Sequence, residues 1–327
     1  MNGFREALEK LRSPYVEELR NWIDKEIDGI YKIKSKKLQE AKDGKKFLLL
    51  TLEDRTGSVR AVDWYNAEAN DEKLQVGHVV NVRGKVVYFE ERLQINVLNE
   101  QDAIKKLSEN EYDIERFVRS AENVEEMYKS VLRLIDTIRD EDYKTILQRF
   151  FVEDKNFVEM FKSSPAGMRI HHAYKGGLLE HSLSVAKLVD SVCRIYNQLD
   201  RDLLVTGALL HDIGKVKEYV VNSNGIEVTT EGELVGHIVI GIEMLAQKAR
   251  GISYEKFLKL KHLIASHHGE FEWGSPVLPK TPEALVLHFI ENMDSKINRV
   301  MQIIDKEDKE KDWSEYDSNL SRRFFLK

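Results

Sequence analysis

The hydrophobic pattern of this chain changes its period near residue 100, and this change limits the fold more than any other feature. From about Gly29 to Val97, short alternating or apolar runs are broken by turn residues, which is typical of β-strands. Beyond about Glu100, apolar residues recur every three or four positions, which indicates helices. The chain has 327 residues, and chains of this length usually form more than one hydrophobic core. We therefore expect a strand domain followed by a helical domain.

The composition excludes several classes of protein. Hydrophobic residues make up 42% and charged residues 32% of the chain, as in an ordinary folded, soluble protein. The net charge of -6 argues against a protein that coats nucleic acid through overall positive charge. Cys193 is the only cysteine and lies in an apolar helical pattern, so we expect a core thiol and a reducing compartment. Without a signal peptide or a long apolar run, the sequence predicts a cytoplasmic protein with no membrane span.

The strand region contains signals for five strands. Thr56-Gly57 and Glu90-Glu91 predict turns, Arg83-Gly84 predicts a bend or bulge, and NAEANDEKLQ predicts a short helical or looped insert before the fourth strand. Three strands, an insert and two further strands are the strand plan of an OB barrel. In addition, the run FLLLTLEDRTGSVRAVDW resembles the second and third strands of OB domains in tRNA-anticodon-binding and single-strand-binding proteins.

The same region carries candidate contacts for nucleic acid. The segment from Ile30 to Lys46 contains seven lysines but only two acidic residues, and aromatic residues lie on the neighbouring predicted strands. A basic groove with stacking aromatics would hold a single strand, whereas the alternatives are a solubilising lysine strip and barrel packing. Strand alternation puts Trp64 and Tyr65 on opposite faces, so at most one of them can stack. The predicted contacts are Lys34, Lys36, Lys45, Trp64 and Tyr88.

The helical region carries an ordered set of histidines and aspartates, each within or beside an apolar stretch. Imidazole and carboxylate donors without thiolate suit divalent transition ions and leave positions open for water and phosphate oxygens. Seven donors are enough for two ions. The candidate ligands are His181, His211, Asp212, His237, His267, His268 and Asp294.

Further residues near these ligands are candidates for catalysis beside Asp212 itself. Lys215 follows Asp212 by three positions, past the expected helix end at Gly214, and is predicted to contact phosphate; the alternative is a surface lysine at a helix end. His172, and less so His171, is a candidate phosphate contact or proton donor, or else a hydrogen-bonded structural histidine. The remaining histidines are expected to be structural: His78, His262 and His288.

The ligand pattern resembles a known family. His181, His211-Asp212 and Asp294 are similar to the H...HD...D pattern of HD-domain phosphohydrolases. His237 and the His267-His268 pair are similar to the extended pattern of HD enzymes that bind two metals. Because HHGEFEWGSP lacks a Gly-Tyr-Pro run, and Gly177 stands where some of these enzymes place a third-metal glutamate, the resemblance implies two ions and disfavours cyclic dinucleotides.

The order of the two domains extends the resemblance. An OB domain followed by SSPAGMRIHHAYKGGLLEH resembles the YhaM-type exoribonucleases of bacteria from about Asp28 to Lys327. The resemblance implies a hydrolase that shortens single-stranded RNA from the 3′ end to nucleoside 5′-monophosphates, with single-stranded DNA as a further candidate substrate. Manganese is the expected ion, with Fe²⁺, Co²⁺, Mg²⁺ or Zn²⁺ as alternatives. Two competing hypotheses are a phosphohydrolase of small nucleotides with a regulatory OB domain, and a non-enzymatic adaptor.

We therefore predict a multidomain chain with an all-β OB barrel followed by an all-α HD fold. Self-association is left open. The aromatic and basic C-terminal residues either pack back toward substrate or form a solvated helix end. The predicted segments are a helical segment at 1–16, the OB domain at 17–100, a helical connector at 101–160, the HD domain at 161–310 and a tail at 311–327.

Overall fold

The computed structural model describes residues 13–168, 172–223, 225–307 and 311–327. The chain divides into two compact units whose main boundary lies between Arg119 and Ser120, and Asn222–Gly225 is grouped with the first unit. Each unit has its own buried hydrophobic cluster. The first is built mainly of strands and the second mainly of helices, which confirms the predicted order of fold classes. The helical segment predicted for 1–16 lies almost entirely outside the described residues.

The first unit is a closed barrel. Its sheet order is β1-β2-β3-β5-β4-β6, and β1 also pairs with β4, which closes the sheet. Strands β3 and β5 pair in parallel, whereas the other neighbours are antiparallel. Alternate residues of β2 face the core, as period-two burial requires. The elements are β1 (Glu26–Glu40), β2 (Lys46–Asp54), β3 (Gly57–Asp63), α1 (Ala67–Lys73), β4 (Val79–Phe89), β5 (Arg92–Val97) and β6 (Ile104–Lys106).

Two local predictions in the barrel have different outcomes. Glu90 and Glu91 both have positive φ and form the turn between β4 and β5, as predicted. Of the bend or bulge predicted at Arg83-Gly84, the bulge is wrong, because β4 passes through these residues in regular register and the irregularity lies in β1 instead. Gly84 is required for space, since a Cβ there would lie 2.4 Å from Ile95 Cγ2.

Short elements flank the barrel. A 3₁₀ helix (Val16–Trp22) precedes β1, and two 3₁₀ turns (Glu109–Glu111 and Ile114–Arg116) follow β6. Arg116 donates hydrogen bonds to the carbonyl oxygens of Ile30 and Pro14, at 2.6 Å in both cases. The part of the predicted connector before residue 120 therefore has no α-helix.

The second unit is helical around a large core. Every residue from Leu203 to Val216 is buried. Among the described residues, no helix is long and apolar enough to cross a lipid bilayer. The helices are α2 (Val124–Asp136), α3 (Glu141–Gln148), α4 (Lys155–Ser163), α5 (Gly177–Ile195), α6 (Arg201–Leu210), α7 (Lys215–Glu218), α8 (Thr230–Val235), α9 (His237–Lys248), α10 (Tyr254–Ser266) and α11 (Pro282–Lys306).

Three features of this unit were not specified by the helical pattern. A π-helical turn (Arg149–Glu153) follows α3, and a two-stranded hairpin of β7 (Tyr219–Asn222) and β8 (Gly225–Val228) departs from an all-α domain. The tail folds back on α11, where Arg299 donates to Asp317 at 2.5 Å. Cys193 is buried in the helical core, as predicted.

Candidate metal centre

Helix α5 brings His181 into the core. The helix begins after Gly176, whose positive φ suits a glycine, and at Gly177 a Cβ would lie 2.0 Å from the carbonyl oxygen of His172. The ring of His181 is fully buried. Its Nε2 lies 3.1 Å from Nε2 of His211, and its Nδ1 lies 2.8 Å from Oδ2 of Asp294.

The His211-Asp212 pair follows the end of the buried helix α6. Nδ1 of His211 lies 2.8 Å from the carbonyl oxygen of Ala208, which directs Nε2 toward the Asp212 carboxylate at 3.4 Å. The predicted role of Gly214 needs correction, because its φ of -63° is an ordinary helical value. Glycine is needed there for close approach, since a Cβ would lie 2.0 Å from the carbonyl oxygen of His237.

Three histidines approach Asp212 from α9 and from the end of α10. His237 opens α9, and its Nε2 lies 3.6 Å from Oδ1 of Asp212. His267 follows α10, and its Nε2 lies 3.4 Å from the same oxygen. The ring centroid of His268 is 4.4 Å from that of His267 and 5.2 Å from that of His237. With His181 and His211, the structure thus brings together histidines from four separate parts of the sequence.

The Asp212 carboxylate lies at the middle of this arrangement. Its Oδ2 faces His181 at 3.5 Å and His211 at 3.4 Å, whereas its Oδ1 faces His237 and His267. The described residues contain three donor groups, and within each group the ligand atoms lie within 4.8 Å of one another; two of the groups share His181. These groups are His181-His211-Asp212, His237-His267-His268 and His172-His181-Asp294.

Unpartnered atoms test whether these residues fit a metal. Oδ1 of Asp212, Nε2 of His237 and Nε2 of His267 are buried and have no hydrogen-bond partner among the described residues. Leaving a buried polar atom unpaired costs about 1–3 kcal/mol, so three neighbouring ones need an explanation. All three are ligand atoms for divalent ions, and a cation between them would satisfy them together. The donor set therefore fits the metal that the sequence predicts.

Burial prepares several of these histidines for metal binding. It lowers the pKa of His181 to about 4 and the pKa of His268 to about 4, and it holds the pKa of His267 well below its usual range. Neutral imidazole is the form that binds a metal. Burial alone would raise the pKa of Asp212, but the charges of Lys215 and His211 outweigh it and hold that pKa well below its usual range. The Asp212 side chain is therefore a carboxylate at neutral pH.

Asp294 lies on the far side of His181 from Asp212. Its Oδ2 is 2.8 Å from Nδ1 of His181 and 3.1 Å from Nε2 of His172. The other ring nitrogen of His172 lies 3.0 Å from the Tyr174 hydroxyl, which donates to Oε2 of Glu180 at 2.8 Å. Both His172 nitrogens thus have partners within the protein, an arrangement that favours holding Asp294 in place. His171 lies outside the described residues.

Lys215 is buried beside the centre. Its Nζ donates to Oδ2 of Asp212 at 2.6 Å, and the residue is only 6% exposed. The surface-lysine alternative is therefore excluded by its burial. The other histidines outside the motif have local partners: Nδ1 of His78 accepts from the amide of Gln75, and Nε2 of His262 accepts from the amide of Lys280.

Sequence reasoning missed two residues beside the centre, Glu218 and Glu291, whereas His288 was expected to be structural. Glu218 contacts the main chain and the ring of His237, and Nδ1 of His288 lies 3.0 Å from the carbonyl oxygen of His267. Burial raises the pKa of Glu291 to about 7. The available signals were a glutamate at the end of HDIGKVKE and a glutamate one helical turn before Asp294.

A separate groove lies on the barrel and has a volume of about 1050 Å³. Residues from β2, β3 and the β4-β5 hairpin line it, together with the 3₁₀ helix before β1. Tyr88 adds an aromatic ring to its lining, and the charged lining residues are three arginines and one glutamate: Arg20, Arg60, Arg92 and Glu91. Tyr88 is 63% exposed, and Nε of Arg60 is buried without a hydrogen-bond partner among the described residues.

Of the five predicted nucleic-acid contacts, Tyr88 lines this groove and the other four lie elsewhere on the barrel. Lys34 pairs with Glu53 at 3.2 Å and Lys36 with Asp71 at 2.9 Å. Lys45 lies 5.4 Å from the ring of Tyr65, and Trp64 packs on Phe47 with a ring separation of 4.5 Å.

Comparison with known proteins gives the same division of the chain. The model of the HD domain matches residues 178–309, and the model of the OB-fold nucleic acid binding domain matches residues 32–103. A 3'-5' exoribonuclease YhaM of Bacillus pumilus is 35% identical over 84% of this chain and 87% of its own length. The same-named protein of Bacillus subtilis is 34% identical over 87% of this chain and 89% of its own.

More distant relatives extend the match. The 3'-5' exoribonuclease YhaM of Listeria monocytogenes is 32% identical over 93% of this chain and 95% of its own length. Similarity at this level covers both the barrel and the metal centre. The chain belongs to the YhaM family of 3′–5′ exoribonucleases.

Proposed function

We propose that this chain is a metal-dependent exoribonuclease that hydrolyses single-stranded RNA from the 3′ end and releases nucleoside 5′-monophosphates. The observation that carries the proposal is the buried cluster of histidines around Asp212, with its three unpartnered ligand atoms. The names of the relatives support the direction of hydrolysis and the choice of RNA. The single free cysteine suits a reducing compartment, so we place the activity in the cytoplasm.

The predicted ligands would hold two divalent ions, and we propose manganese. When bound, such ions lower the pKa of water toward neutrality and neutralise charge on the phosphate. Asp212 contributes to both parts of the cluster, because its two oxygens face different histidines. The ligand residues are His181, His211, Asp212, His237, His267, His268 and Asp294.

Lys215 is the proposed phosphate contact. An ammonium group has three donors, and within the part of the chain that the structure describes, the hydrogen bond of Nζ to Asp212 uses one of them. The remaining hydrogens are suited to a non-bridging phosphate oxygen. Because Lys215 is buried, its charge acts where water screens little, which increases its effect on charge that develops in the transition state. His172 acts indirectly in this proposal, by holding Asp294.

The barrel groove is the proposed path for the single strand. Three arginines offer guanidinium groups to phosphates, and the exposed ring of Tyr88 offers a stacking surface. Both kinds of contact tolerate any base, and neither requires a ribose hydroxyl. We therefore propose that single-stranded DNA is also accepted. Lys34, Lys36, Lys45 and Trp64 lie elsewhere on the barrel and stay predicted contacts.

The test compares wild-type protein with Asp212→Asn in the presence of manganese. Single-stranded RNA labelled at either end, and free nucleotides in a parallel assay, serve as substrates. Wild type should shorten RNA from its 3′ end to mononucleotides. Removing a residue that only supports a metal ligand usually costs about 10- to 100-fold. Because Asp212 is itself a proposed ligand, the variant should lose activity by more than about 100-fold.

A control is Glu231→Gln, which neutralises a half-exposed carboxylate that pairs with Lys217 at 3.6 Å and lies outside the metal cluster. This variant should keep wild-type activity at 25 °C. Equal activity of Asp212→Asn and wild type would refute the site. Hydrolysis of nucleotides with no shortening of RNA would instead favour the small-nucleotide phosphohydrolase.

A further inference from the structure

Two exposed aromatic rings follow the His267-His268 pair. The segment Phe271–Trp273 forms a 3₁₀ turn directly after these histidines. Phe271 is 64% exposed and Trp273 is 52% exposed. Large aromatic side chains cost free energy when they face water, so two of them beside a candidate metal centre suggest a ligand surface.

The turn is fixed to the metal cluster by the main chain. Nδ1 of His268 lies 2.8 Å from the carbonyl oxygen of Trp273, so a candidate metal ligand and the aromatic turn determine each other's position. Gly269 has a φ of +79°, and a Cβ there would lie 2.2 Å from the ring of His288. The ring of His288 therefore packs directly under the loop, and its Nδ1 reaches the carbonyl oxygen of His267 at 3.0 Å.

The charges around the rings indicate which part of a nucleotide they would contact. Nζ of Lys296 lies 5.7 Å from the centroid of the Trp273 ring, within the range of a cation–π interaction. Glu270 and Glu272 are exposed on either side of Phe271, and their carboxylates would repel a phosphate. The surface is therefore suited to an uncharged, flat group.

We propose that Phe271 and Trp273 form the stacking surface for the bases at the 3′ end of the RNA strand. This inference rests on the proposed exoribonuclease function and adds a binding site to it. Stacking accepts all four bases because every base has a π face, as an exonuclease that degrades a strand of mixed sequence requires.

The first experiment measures KM for a short oligoribonucleotide. Trp273→Ala removes the ring but keeps the carbonyl oxygen that His268 contacts, so the bound metal per chain should not change. We expect KM to rise about tenfold, the usual effect of removing one stacking partner, and Trp273→Phe to recover most of the loss. The control is Tyr254→Ala, an exposed aromatic at the other end of α10, which should leave KM unaltered.

The second experiment distinguishes stacking from a structural role. An oligoribonucleotide that lacks its 3′-terminal bases is compared with the intact strand for wild type and Trp273→Ala. On the abasic strand, the rise in KM caused by Trp273→Ala should be about twofold instead of about tenfold, because the ring has no base to contact.

Four outcomes would overturn the inference or its basis. An unchanged KM on intact RNA refutes the stacking surface and leaves the exoribonuclease proposal standing. An equal rise in KM on intact and abasic strands, or less bound metal per chain, would show that the ring only supports the loop. Absence of RNA hydrolysis by wild type refutes the proposed function itself. Altered self-association of Trp273→Ala, with KM unchanged, would instead assign the rings to a protein contact.

Discussion

At the scale of single residues, Glu218 determines how His237 faces the metal centre. Its Oε1 lies 3.1 Å from both the main-chain nitrogen and Nδ1 of His237, which leaves Nε2 directed at Asp212. Burial alone would raise the pKa of Glu218, but the contacts with His237 outweigh it and lower that pKa. Glu218 is therefore a charged positioning residue, of the kind that commonly orients a metal-binding histidine.

Removal of the Glu218 carboxylate should weaken metal binding. We expect Glu218→Ala to lower the affinity for manganese by about 10- to 100-fold, as is usual when such a partner is lost. Glu218→Gln keeps an oxygen that can accept from His237 and should lose less. The measurement is bound manganese per chain after dialysis against buffered metal.

A nearby glutamate provides the control for this substitution. Glu231 pairs with Lys217 at 3.6 Å and is half exposed, so Glu231→Ala should bind manganese as wild type does. Equal affinity of wild type and Glu218→Ala would show that His237 is held by its helix alone.

The candidate ligands could be predicted from the sequence, whereas their orientation could not. His211, Asp212 and His267 are recognisable as donors because they end apolar helical runs. The position of Asp294 beside Nδ1 of His181 depends on contacts between residues more than 100 positions apart. No local pattern encodes which ring nitrogen such a contact uses.

At the scale of elements, an ion-pair network joins α5 to the start of α6. Asp190 accepts from Nε of Arg201 at 2.6 Å and from Nη2 of Arg194 at 2.8 Å. Burial alone would raise the pKa of Asp190, but the two arginines outweigh it and lower that pKa. These two helices position His181 and His211, so the network supports the region from which the centre is built.

Asp190→Asn should destabilise the helical unit in a pH-dependent way. We expect a loss of roughly 1–3 kcal/mol at pH 7, because a buried charged partner is removed. A carboxylate with a lowered pKa stabilises the fold fully above its unfolded pKa of about 4, and this contribution is lost as pH falls through the lower folded value. Asparagine does not titrate. Thermal unfolding of wild type and Asp190→Asn is measured at pH 7, 5 and 3.5. The difference between their melting temperatures should narrow only at the lowest pH, and a difference that stays constant would contradict this account.

Long elements could be predicted from the sequence, whereas short ones could not. The helices α5, α6 and α11 have 10 to 25 residues, enough for apolar spacing to be recognised. Strand β6 has three residues, and β7 and β8 have four each, too few to show a period of two. Their pairing comes from neighbouring chain segments.

At the scale of the whole molecule, each unit has a separate hydrophobic cluster. All the candidate metal ligands lie in the helical unit. A ligand that binds the folded state stabilises the unit that holds it. The two resemblances seen in the sequence, to OB and to HD domains, thus correspond to two units whose stability should respond differently to metal.

Metal removal should therefore lower the melting temperature of the helical unit alone. With manganese at about 100 times its dissociation constant, binding contributes about 2.7 kcal/mol, which for a unit of this size corresponds to roughly 5–10 °C. Calorimetry with and without a chelator would measure the shift, and circular dichroism at the helical and strand bands would assign each transition. In Asp212→Asn the chelator should have little effect, because the central ligand is gone. A shift of equal size in the barrel transition, or an undiminished shift in Asp212→Asn, would mean that the stabilising ion is bound elsewhere.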